Sequence, residues 1–197
     1  MFSVSYGCQL IQIMRQDIER LVEIAARTRK YASFFEWPDK ERKELGVVEE
    51  LIAGLNASIG LGLSNLRVQR PDPPDCVCDD SNGKPVAIEV AEVVCEDAAR
   101  LNAQGQNVYR VWRPGDLAAR IRTRLNEKDG KSFHGGPFAS IAVCLFTDES
   151  TLTVDFAKRE LSLVMFGPYK QVGTAYLLFS YDQGSKNYPF LPLRIAA

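Results

Sequence analysis

PPDCVCDDSNGKPVAIEVAEVV, residues 73–94, decides how this chain folds. It reads as two short apolar runs, 75–78 and 86–95, joined by the turn signal Ser81-Asn82-Gly83. Glycine accepts the left-handed conformation that closes a three-residue hairpin loop, so Asp80 is expected opposite Lys84 and, counting outward, Asp75 opposite Glu89. Residues facing each other in an antiparallel pair project to one side of the sheet, with Cβ atoms roughly 5 Å apart. Two carboxylates would converge there and repel, so something positive is wanted between them. A divalent cation is the economical solution: Mg2+ or Mn2+ prefers oxygen ligands, commonly taking one or two carboxylates and keeping waters. Two other readings compete. The acids could be ordinary surface hairpin residues, and a two-residue loop at Asn82-Gly83 would set Glu89 against Cys76 and exchange the faces. Asp79 and Asp80 read as turn residues, Asp72 falls beyond the ladder, and Glu92 points away from Glu89 toward solvent or an interface.

Outward from the hairpin, the periodicities describe an α/β chain. Ile11, Met14, Ile18, Leu21, Val22 and Ala25 recur at three and four, predicting a long amphipathic helix over residues 9–35. Trp37-Pro38-Asp39 breaks it, and Asp39 is placed to accept hydrogen bonds from the first free amides of a second helix, residues 40–55. Gly54, Gly60, Gly62 and the Pro-rich QRPDPPD read as the loop into the sheet. Residues 96–113 show no assignable pattern. Leu117, Ile121 and Leu125 predict a helix over 116–126. ASIAVCLF, 139–146, is the nearly continuous apolar run of a strand covered on both sides, and TAYLLFS, 174–180, reads as another. Residues 154–165 suggest a short helix or strand. Pro189 and Pro192 make 188–195 an edge strand. The expected architecture is a mixed central sheet flanked by helices, one domain over 1–197, with 1–36 as a helical extension and 39–197 as the α/β core.

Composition excludes several function classes. At 197 residues and 46% hydrophobic the chain can bury a full core, while 24 basic residues against 25 acidic ones give no global field for nucleic acid. No window approaches the ~18 apolar residues of a membrane span and no secretory leader is recognisable, which points to the cytoplasm. The five cysteines, Cys8, Cys76, Cys78, Cys95 and Cys144, include no C-x-x-C and read mostly as reduced core thiols. His134 is the only histidine, so a histidine metal cluster cannot be built. Neither a phosphate-binding G-x-x-x-x-G-K-[ST] loop nor a dinucleotide G-x-G-x-x-G turn is present.

A third acid is sought on the second helix. At about 100° per residue, Leu45, Val48, Ile52 and Leu55 define an apolar stripe into which Glu44 falls, with Glu49 and Glu50 at its edge or outside. The competing reading makes Glu44 a first-turn acid favoured by the helix dipole. A basic segment follows later. Between Tyr109 and Lys131 lie seven basic residues, Arg110, Arg113, Arg120, Arg122, Arg124, Lys128 and Lys131, against three acids. Arginine fits phosphate oxygens bidentately and an interleaved Tyr109 or Trp112 could stack on an unpaired base, although a solvated helix face is the plainer account.

Glu44 on a helix, Pro73-Pro74-Asp75, thirteen intervening residues and Glu89 within Ile88-Glu89-Val90-Ala91 resemble the PD-(D/E)XK nuclease-like superfamily, and more narrowly a bacterial group of it with a P-P-D hairpin and an I-E-V-A-E strand. The resemblance spans residues 40–142. It implies a restriction-endonuclease-like fold and a Mg2+ (or Mn2+) site of Glu44, Asp75 and Glu89 acting on DNA, with RNA as the alternative polymer. One position departs from the pattern. The lysine two residues after the strand Glu is here Ala91, and that lysine would orient the attacking water and stabilise charge on the phosphate. Either the ammonium comes from elsewhere, with Lys128, Lys131 and Lys84 as candidates, or the fold survives as an inactive module binding nucleic acid or a protein partner. The resulting assignment is Glu44, Asp75, Glu89 and Lys128 for catalysis and Arg113, Arg120, Arg124 and Lys131 for nucleic acid, with a homodimer through the N-terminal helix as an option. A domain of another class with merely solvated acids is the third possibility.

Overall fold

The computed structural model describes residues 39–104, 112–149 and 151–196. The helix expected over 9–35, Cys8 and any dimer contact through that helix lie outside them. The described residues belong to one compact unit.

The first described helix, α1 (Lys40–Ile59), starts where the sequence says it should. The Asp39 carboxylate accepts from the N–H of Glu41 at 3.0 Å and of Arg42 at 3.4 Å, satisfying two of the orphan donors of a helix start. It runs four residues beyond the expected end and stops at Gly60, whose φ of 63° closes the helix in the left-handed region. Two strands then form the hairpin, β2 (Cys76–Asp79) and β3 (Pro85–Glu92), preceded by β1 (Ser64–Val68) in a region expected to be loop. After the short α2 (Glu96–Ala103) come α3 (Asp116–Asp129), β4 (Ser140–Thr147), α4 (Val154–Leu161), β5 (Val172–Phe179) and β6 (Phe190–Pro192).

The six strands make one mixed sheet in the order β1-β2-β3-β4-β5-β6. β1, β2 and β3 pair antiparallel, β3, β4 and β5 parallel, and β6 closes the edge antiparallel. Parallel neighbours need a crossover, and α3 and α4 supply the two here. One face of the sheet presents Val143, Leu145, Ala175 and Leu177 to Leu117, Ile121 and Leu125 of α3 and Ala157 and Leu161 of α4. The other face packs on α1 through Leu51, Ile52 and Leu55, which with Val86, Ile88, Ala142 and Tyr176 line a groove of about 390 Å³. Alternation along β3 therefore sends Ile88 and Val90 toward α1 and Glu89 and Ala91 toward α3. Cys76, Cys78 and Cys144 are buried free thiols and Cys95 is half-buried. Burial pushes Cys76 up to about 12 and Cys78 to about 11, as expected of inert core residues. Among the described residues no helix is long and apolar enough to cross a membrane.

Candidate metal centre

The hairpin closes in the three-residue register. Gly83 has φ 72°, its N–H donates to the Asp80 carbonyl at 2.9 Å, and the Asp80 N–H donates to the Lys84 carbonyl at 2.9 Å. Cys76 then pairs with Ile88, so the same register places Asp75, one step before β2, against Glu89. Counting the alternation from the Asp80–Lys84 bond makes this a non-hydrogen-bonded position, where facing side chains approach most closely. β3 continues past the end of β2, and the N–H of Val90, no longer facing a strand, donates to Asp75 Oδ2 at 2.7 Å. That bond holds the Asp75 side chain over β3.

Both carboxylates are buried: Asp75 is 5% exposed and Glu89 is not exposed at all. Burying such groups costs several kcal/mol per ion unless partners compensate. The partners come from the end of α3. Lys128, in its last turn, places Nζ 2.6 Å from Glu89 Oε2 and 3.5 Å from Asp75 Oδ2. Lys131, just past the helix, places Nζ 2.7 Å from the same Glu89 oxygen. Lys131 has its ammonium pKa raised: desolvation pulls it down, but the hydrogen bond and charge of Glu89 outweigh that. The positive charge the sequence asks for between facing acids is thus present as two ammonium groups. Glu89 Oε1 remains buried with no hydrogen-bond partner.

Asp72 supplies the third acid. An oxygen from each of Asp72, Asp75 and Glu89 lies within 4.8 Å of the other two, a spacing that could hold a metal ion. Asp72, expected beyond the ladder, lies outside any strand and yet reaches the two strand acids. The segment between Val68 and Cys76 connects the antiparallel β1 and β2, and the His134 N–H ties it down by donating to the Pro73 carbonyl at 2.8 Å. The repeated Pro-Asp in RPDPPD is the signal that could have found Asp72.

Glu44 sits on the first two turns of α1, half-buried, and pairs with Lys40 at 3.4 Å; its oxygens are not part of the three-acid cluster. Lys40 also reaches Asp72 at 3.8 Å. Burial, and then the charge of Asp75, raise the Glu44 carboxyl above its ordinary value against the pull of Lys40 and Lys128. It therefore borders the cluster electrostatically. Glu92 faces α1 and meets Lys43 at 3.5 Å. Lys84 lies at the hairpin turn, just before β3 and five residues before Glu89.

The basic segment is partly committed to structure. Arg124 donates from Nε to the Glu92 carbonyl at 3.2 Å and pairs with Glu127 at 2.8 Å, and the Arg122 guanidinium lies 5.5 Å from the Phe166 ring centre. Arg120 is half-buried and Arg113 exposed. Trp112 is 8% exposed and belongs to the core, so it cannot stack on a base as the sequence suggested; a tryptophan between arginines carries no sign of which side it faces. Tyr109 and Arg110 lie outside the described residues. Comparison with family models, with curated proteins and with solved structures gave no match to this chain.

Proposed function

We propose that the protein is a metal-dependent phosphodiesterase of nuclease type with a restriction-endonuclease-like core, acting on DNA with RNA as the alternative polymer. The observation that carries this is Glu89, a fully buried carboxylate with one oxygen bonded by two lysines and the other without a partner, beside Asp75 and Asp72. A cation would satisfy that orphaned oxygen, and an all-carboxylate donor set suits a hard ion, Mg2+ or Mn2+. The cation would supply Lewis acidity and a bound water of lowered pKa. Asp72, Asp75 and Glu89 hold it, with Glu44 shaping the field around Asp75.

Lys128 takes the part of the lysine that the pattern places at Ala91. Ala91 is on the same side of β3 as Glu89, and Lys128 reaches that side from α3 instead of from the strand. Its ammonium is placed to orient a nucleophile beside both carboxylates and to stabilise charge developing on a phosphate oxygen. Lys131 adds a second cation, and exposed Arg113 offers a backbone contact further along the same segment.

One observation favours a second reading. Two ammonium groups on Glu89 Oε2 already offset much of the acidic charge, as an inactive module that binds without hydrolysis would require. Cleavage of labelled single- and double-stranded DNA and RNA in Mg2+ or Mn2+ separates the two. Hydrolysis that EDTA or Asp75→Ala abolishes supports the enzyme; binding without cleavage, indifferent to both, supports the module.

A further inference from the structure

Two lysines at a helix terminus are poorly placed for precise work, since helix ends fray and leave carbonyls unsatisfied. Here the terminus is held from outside. The Asp129 carboxylate accepts three backbone N–H groups, from Lys170 at 3.0 Å, Gln171 at 2.8 Å and Val172 at 3.1 Å. In return, Gln171 Nε2 donates to the Asp129 carbonyl at 2.7 Å and to the Lys131 carbonyl at 2.9 Å. Val172 begins β5, which pairs with β4, and Val143 of β4 lies opposite Glu89 of β3.

We propose that Asp129 and Gln171 form a clamp that positions Lys128 and Lys131 on Glu89. The clamp ties the carbonyl of Asp129, between the two lysines, and that of Lys131 itself to the sheet that carries the carboxylate. Both residues are positioning residues, because neither bonds to Asp72, Asp75 or Glu89. Beyond the clamp, the chain is tied again where His134 donates to Pro73. Gly135 follows with φ +84°, and a Cβ there would meet the Gln69 side chain at 2.5 Å. The lysine-bearing segment is therefore fastened on both sides of Lys131, to β5 and to the acidic loop. Its catalytic meaning rests on the nuclease reading; its structural meaning does not.

Site-resolved reductive methylation of the full chain, followed by peptide mass spectrometry, tests the clamp without substrate. In Gln171→Ala the labelling rates of Lys128 and Lys131 should rise roughly tenfold, the effect of losing hydrogen bonds that hold a local segment closed. Lys158 and Lys186 should keep their rates. Asp129→Asn, which preserves shape and one acceptor, should raise the same two lysines by less. Where hydrolysis is measurable, kcat/KM should fall in both variants. Unchanged rates at Lys128 and Lys131 in both variants, or a rise shared by all four lysines in both, would overturn the proposal. A selective rise in a protein with no hydrolytic activity would leave the clamp standing and remove the nuclease reading.

Discussion

Glu89 is a residue whose burial is unfavourable for the fold and which stands at the centre of the proposed site. Its carboxylate lies wholly inside the protein, held by Lys128 and Lys131 on one oxygen only. Asp72 adds a third negative charge at close range, partly offset by Lys40. Asp72→Asn should therefore stabilise the cation-free protein slightly while removing the gain on adding Mn2+. For the parent chain that gain should be about 5–10 °C in Tm at a hundredfold excess over Kd. Differential scanning fluorimetry with and without Mn2+ measures both. Lys128→Ala should lower hydrolysis by roughly 10²–10⁴-fold, the usual worth of a positioned acid–base or charge-stabilising group. Adding Ala91→Lys to that variant should restore part of the rate, because position 91 shares the face of Glu89. No recovery in single-turnover assays of the double variant would place the ammonium's role elsewhere.

At the scale of elements, the hairpin was legible because its turn chemistry fixes a register and the register fixes which acids meet. The stripes of α1 and α3 and the apolar runs of β4 and β5 were equally plain, since burial on one or both sides writes a period into the sequence. β1 left no such mark. It is a short edge strand, mostly exposed, bulged between Ser64 and Arg67, with Asn65 at φ 53°. Asp72 was faint for a related reason: a loop has no period, so the repeated Pro-Asp was its one mark and the path of the chain after Val68 is what brings it to Asp75. The α3 end makes a prediction of its own. Burial raises the Asp129 carboxyl, but its three backbone donors together hold it below 3.8. A depressed carboxyl contributes stability that is present above its unfolded value and lost as pH falls through the folded one. Exchange protection at Lys170, Gln171 and Val172 should thus decline below about pH 4, earlier than in the rest of β5. Uniform loss along β5 in acid titrations followed by NMR would count against this. Lys131, raised above 10.5, runs the other way and loses its contribution only at higher pH.

At the scale of the described fold, one sheet carries both halves of the proposed site. The carboxylates come from the mouth of the β2–β3 hairpin and the ammonium groups from the crossover helix packed on the same face, so core packing and site geometry are coupled through α3. Leu125 is fully buried one turn before Lys128. Leu125→Ala should cost about 2–5 kcal/mol by chemical denaturation, and should weaken Mn2+ binding more than an equally destabilising Leu55→Ala in α1. The decisive experiment is to soak crystals with Mn2+ and collect diffraction data at the manganese absorption edge. An anomalous peak should appear, bonded to Asp72, Asp75 and the free oxygen of Glu89. No peak at millimolar Mn2+, with Lys128 and Lys131 still seated on Glu89, would contradict the proposed site.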